Sequence, residues 1–238
     1  MKKRIACLGV LAVVLAATAL APGADSRTFG ATPKMPPASS FSTSVDNPWF
    51  PLRPGTRYLY TGVKDGKPSR DVVVVTHQTK KIDGVPCVAV HDRLYLRGHL
   101  AERTIDWYSQ DSRGNVWYFG EDTAELDAHG HVTSTEGTWT AGVNGGEAGI
   151  FMPGRPHLGE SGRQEFLKGH AEDHFKVIGL FRTVGPRGKR NALLTEEWTP
   201  LEPGVLDHKM YVWGIGTVLE QTQKGGNERN ELIAVTRR

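Results

Sequence analysis

After residue 56 the apolar residues of this chain recur with a period of two almost everywhere, and the runs are broken by Gly, Asp-Gly and Pro. "TRYLYTGV" alternates and turns at Lys64-Asp65-Gly66-Lys67, and "RDVVVVTHQTKKI" ends at Asp83-Gly84. "VPCVAVHDRLYLRG", "LAERTIDWYSQD" and "NVWYFGED" follow, then a further series that closes with "ELIAVTRR". No segment holds a helical stripe for three turns. Short strands between such turns specify an all-β antiparallel meander. Its edges must be hidden by closing or curling, so the expected architecture is one barrel or half-barrel domain over residues 46–238. No internal repeat at a fixed period points to a propeller.

The N-terminus reads differently. Lys2, Lys3 and Arg4 precede an apolar run from Ile5 to Ala21, and small residues follow. This is the pattern of a secretory signal peptide, assigned to residues 1–24, with cleavage after Ala19 or Ala24. The alternative for the same run is an uncleaved anchor, since about 20 apolar residues span a bilayer. Residues 25–45 are rich in Pro, Ser and Thr and read as a flexible tether. The expected location is secreted or extracytoplasmic, with membrane contact only through the signal segment before cleavage.

Removing residues 1–24 from 238 leaves 214 and deletes three cations and no anion, so the formal charge of +3 becomes 0. A neutral chain gives no electrostatic case for nucleic acid. Cys87 is then the single cysteine, which excludes an intrachain disulfide, and its apolar neighbours predict a buried, unreactive thiol. The chain is expected to be a monomer without a cofactor.

The segment "DWYSQDSRGNVWYFGEDTAE", Asp106 to Glu125, carries the main candidate site. With Gly114 left-handed and Asp111 opposite Asn115, paired residue numbers sum to 226. Ile105, Trp107, Trp117 and Phe119 then share one face, expected to be core. Glu102, Asp106, Tyr108, Tyr118 and Asp122 share the other, expected to be wet. Tyrosines offer stacking surfaces and carboxylates accept hydrogen bonds, so this face suits a small polar or sugar-like ligand. Carboxylates at Glu102, Asp106, Glu121 and Asp122, with His174, also allow a hydrolase or lyase. A structural cross-strand pairing with no ligand is the third alternative.

Weaker metal candidates are His170, Glu172, His174 and His208. On a strand, adjacent members of "GHAEDH" lie about 6.6 Å apart, too far for two ligands of one zinc. No metal is therefore assigned. "GESG" is not a nucleophile elbow, and "GVNGGEAG" lacks the ending of a phosphate loop.

The blocks "NPWFPLRPGTRYLYTG", "ERTIDWYSQDSRGNVWYFGEDTAE", "STEGTWTAGV", "AEDH" and "EWTPLEPGVLDHKMYV" resemble a family of secreted, β-rich bacterial proteins common in actinomycetes. The resemblance implies export and a β fold, and assigns no catalytic residue. Together these readings give an exported ligand-binding β protein, a secreted carboxylate-dependent hydrolase, or an envelope interaction module.

Overall fold

The computed structural model describes residues 34–185 and 188–237. The signal segment and the first part of the expected tether lie outside the described residues. A 3-10 turn at Ala38–Ser40 leads into β1 (Phe41–Ser42), β2 (Thr56–Lys64), β3 (Lys67–Ile82), β4 (Val85–Leu96), β5 (His99–Asp111) and β6 (Val116–Leu126). Four short strands follow the β6 hairpin region: β7 (Val132–Ser134), β8 (Trp139–Thr140), β9 (Glu147–Met152) and β10 (Ser161–Arg163). The chain continues with β11 (Glu165–Phe166), β12 (His174–Gly185), β13 (Gly188–Trp198), β14 (Leu206–Val212), β15 (Gly216–Lys224) and β16 (Arg229–Arg237). The described residues contain no helix long and apolar enough to cross a membrane.

All pairings are antiparallel, as the alternation predicts. The sheet runs β10-β12-β13-β14-β15-β16-β2-β3-β4-β5-β6-β9-β11. It is two meanders, β2–β6 and β12–β16, joined where β16 pairs with β2. Three connections are two-residue turns with positive φ at both positions: Asp65-Gly66, Asp83-Gly84 and Arg97-Gly98. That geometry matches the right-handed twist of the flanking strands.

The ends of the sheet meet through one short stretch. β10 pairs with β12, β11 pairs with β9, and only Gln164 separates β10 from β11. At this seam the Arg163 guanidinium pairs with the Glu147 carboxylate. Gly149 lies against the same backbone, where an added Cβ would come within 2.4 Å of the Arg163 carbonyl oxygen. The sheet is thereby nearly closed into a barrel, which removes the edges an open sheet would expose.

Part of the expected tether is docked. Phe41 pairs with Asp111 and packs edge-on against Trp117 and Phe119, with ring centroids 5.9 and 5.5 Å away. A little further on, Asn47 donates to the carbonyls of Gly114 and Pro153 and accepts from the Trp49 N–H. Phe50 then packs on Tyr108 and Phe151 at one end of the barrel. Composition marked residues 38–45 as having little to bury, yet Phe41 and Val45 are both buried. One aromatic side chain is enough because the outer face of β5–β6 offers it an indole surface.

Candidate functional site

The inner face of β5 carries Glu102, Thr104, Asp106 and Tyr108, as period two requires. Tyr118 of β6 faces Tyr108 in register, and the two rings stack with centroids 4.8 Å apart. The turn is as expected: Gly114 has φ 84° and the Asp111 N–H donates to the Asn115 carbonyl. Beyond Tyr118 the register shifts by one. Trp107 pairs with Gly120 and not with Phe119, and Asp106 pairs with Glu121. Phe119 is the extra residue of a β-bulge, followed by Gly120 at φ 141°.

That bulge corrects the predicted site. Glu121 and Thr123 turn inward to join Asp106 and Glu102. Asp122 moves to the outer surface, where it lines a shallow groove of about 170 Å³ with His91, Arg93 and Arg103. Four of the five predicted residues, Glu102, Asp106, Tyr108 and Tyr118, do come together. The face they share is buried and not wet, because it points into the barrel. The Trp107, Trp117 and Phe119 face lies outside the barrel wall and is buried as well. Phe41 covers Trp117 and Phe119, and the Lys80 ammonium sits 3.9 Å from the Trp107 ring centre.

Other strands add to the interior set. β3 contributes Asp71 and β4 Asp92, the seam contributes Glu165, and Asp173 lies just before β12. All are buried. Tyr118 Oη donates to Asp106 Oδ1 at 2.6 Å, and Trp139 Nε1 donates to Glu165 Oε2 at 2.7 Å. Thr104 Oγ1 reaches Glu102 Oε1 at 3.2 Å. On the far wall, Lys209 Nζ is fully buried and lies 2.9 Å from Glu197 Oε2 and 3.6 Å from Glu220 Oε1. Tyr211 Oη donates to Glu197 Oε1 at 3.1 Å.

So many carboxyls buried together cannot all ionise. Burial pushes the Asp106 carboxyl up to about 8; the Tyr118 hydrogen bond opposes this, and Glu102, Glu165 and Asp71 add to it. Burial and the neighbouring Glu165 and Asp106 hold Glu121 well above the carboxylate range. Asp173 is raised by burial and by its hydrogen bond to Glu165, and Asp71 by burial and by Asp92. Burial alone would lower the Lys209 ammonium, but Glu197 and Glu220 outweigh it and its pKa is raised. The interior is thus a proton-holding polar core that also encloses the Lys209 ammonium.

The metal candidates do not meet. His170 sits in an exposed turn, with Nδ1 3.3 Å from Glu136 Oε1. Glu172 accepts from the Gly169 N–H at 2.6 Å. His174 Nδ1 lies 2.9 Å from the Glu172 carbonyl oxygen, and its ring stacks on Trp198. His208 is paired with Glu196 across β13 and β14. Among the described residues no group of three or more His, Cys, Asp or Glu side chains is arranged to hold a metal ion. Cys87 is buried, and burial pushes its thiol up to about 12.

Sequence reasoning missed a second feature. β15 and β16 pair only from Leu219↔Glu231 to Gln221↔Arg229, yet β16 runs on to Arg237 along β2. The wall therefore splits, leaving a cleft of about 530 Å³ whose lining includes Tyr58, Met210, Ile215, Val218, Leu232 and Ala234. Arg53, Arg190 and Arg237 also line it. The available signal was "ELIAVTRR": four consecutive apolar residues where the rest of the chain alternates. Ile233 and Val235 remain 57% and 41% exposed.

No family model matches the chain. No curated protein matches it either. Two solved structures show a distant likeness. One is a Bacteroides fragilis protein classed as exported, with a YmcC-like fold: TM-score 0.44 and 15% identity, covering 79% of this chain and 99% of that one. The other, from Parabacteroides distasonis, is classed as a lipoprotein: TM-score 0.40 and 10% identity, covering 79% of this chain and 98% of that one. Likeness at this level transfers neither a fold nor a function.

Proposed function

We propose that this is an exported binding protein that takes a small ligand in the cleft where β15 and β16 part. Export rests on the basic stub, apolar run and small residues at the N-terminus. Binding rests on the cleft itself. At about 530 Å³ it falls in the ~300–1,000 Å³ range of small-molecule sites, and it combines an apolar lining with a few polar groups.

Access favours this cleft over the acid–tyrosine interior. Glu102, Asp106, Tyr108 and Tyr118 are all within 1% of fully buried, and Phe50 packs over Tyr108. A hydrolase built on Asp106 and Glu121 would need a path for substrate and water to those carboxyls. The interior set is better read as a structural polar core.

The test uses the neutral fluorophore N-phenyl-1-naphthylamine and two variants that fill the cleft from opposite walls, Ala234→Phe and Val218→Phe. Wild type should show saturable fluorescence enhancement. Variants that melt with wild type should lose it. Enhancement that survives both substitutions, or is absent from wild type, would remove the cleft as a binding site.

A further inference from the structure

Three arginines line the cleft. Among the described residues, no carboxylate lies in salt-bridge range of Arg53, Arg190 or Arg237. Two of them act on one group, and the third lies along the same lining. Burial raises the Tyr58 phenol to about 12 even though Arg237 and Arg53 both act to lower it. Arg237 Nε also reaches Thr56 Oγ1 at 3.4 Å. Arg190 Nη1 donates to the Trp213 carbonyl at 3.3 Å, while its Nε is buried with no acceptor. Side by side with these guanidinium groups lie Pro51, Met210, Val212, Ile215, Val218 and Leu232.

An apolar channel lined by guanidinium groups is complementary to a molecule with a hydrocarbon chain and an anionic head. We infer that the ligand of this cleft is a free single-chain anionic amphiphile of the fatty-acid type, its carboxylate held by Arg53, Arg190 and Arg237. The inference rests on the binding reading above and assigns its ligand class. The volume suits one chain, not a diacyl lipid drawn whole from a bilayer.

The experiment is displacement of N-phenyl-1-naphthylamine from the full exported protein by laurate, dodecanol and dodecyltrimethylammonium. Laurate should compete better than dodecanol by on the order of tenfold, about the worth of one charge-assisted hydrogen bond. The cationic chain should compete worst, and added salt should narrow the gap. Arg53→Gln, Arg190→Gln and Arg237→Gln should each weaken laurate several-fold while dodecanol and the probe bind as before. Equal competition by laurate and dodecanol in wild type overturns the ligand class and leaves the cleft intact as a site. Failure of the probe itself to bind overturns the site. Displacement by phosphatidylglycerol vesicles or by an acidic pentapeptide, with none by laurate, also overturns the assignment. The first would make the cleft a bilayer contact, and the second would make it a groove for an added strand.

Discussion

Two glycines of the β5–β6 hairpin show how differently the same residue is required. Gly114 needs a left-handed backbone, but an added Cβ would meet nothing closer than 3.6 Å, at Gly154 Cα. Gly120 combines φ 141° with backbone contact: its Cβ would fall 2.5 Å from the Trp139 carbonyl oxygen and 2.9 Å from Thr140 Cα. Gly114→Ala should therefore cost ~1–2 kcal/mol of stability, the strain of a left-handed L-residue. Gly120→Ala adds overpacking to strain and should cost more than ~3 kcal/mol or prevent folding. Urea melts of the two variants check this. Equal midpoints would mean that β8 does not lie on Gly120.

Among the elements, the two-residue strand β1 covers part of the β5–β6 hairpin. Two residues pair with β5, and Phe41 covers the indole of Trp117 and the ring of Phe119. Without that cover the outer face of the hairpin would expose an aromatic patch. Phe41→Ala should cost ~3–5 kcal/mol, the loss for a buried Phe, and should raise the accessibility of Trp117 to a quencher such as acrylamide. If the variant unfolds with wild type, residues 38–45 are a tether after all. The short pair β10–β11 acts comparably at the seam. It joins β12 to β9 through Gln164, with Gly149 leaving room for the crossing backbone.

For the whole molecule, the acidic interior sets the pH dependence of stability. Asp71, Asp106, Glu121, Glu165 and Asp173 all have raised pKa values in the folded barrel, chiefly through burial. Between the unfolded carboxyl value, about 4, and the Asp106 value, about 8, the folded chain holds protons that the unfolded chain has released. More protons bound in the folded state means that stability falls as pH rises through this window. Urea unfolding should therefore give a lower midpoint at pH 8 than at pH 5. Asp106→Asn, neutral at both, should flatten the slope while preserving an acceptor for Tyr118. A midpoint that rises with pH would show that the interior carboxyls are ionised and paired.

The sequence by itself determined the local rules. Alternation with a period of two fixed an antiparallel sheet, and Asp-Gly pairs and Gly114 fixed turns that need positive φ. The same spacing put Glu102, Asp106, Tyr108 and Tyr118 on one face, because strand geometry alone decides which residues alternate. Tertiary structure decided which way that face points. A polar strand face is equally compatible with solvent and with a shared barrel interior, and only closure through β10 and β11 made it interior. The bulge at Phe119 was likewise invisible, since the approach of β8 to Gly120 comes from a segment 20 residues away. It exchanged Asp122 for Glu121 in the site. The cleft depends on where β15 stops pairing with β16, a matter of sheet curvature that no residue in either strand encodes alone.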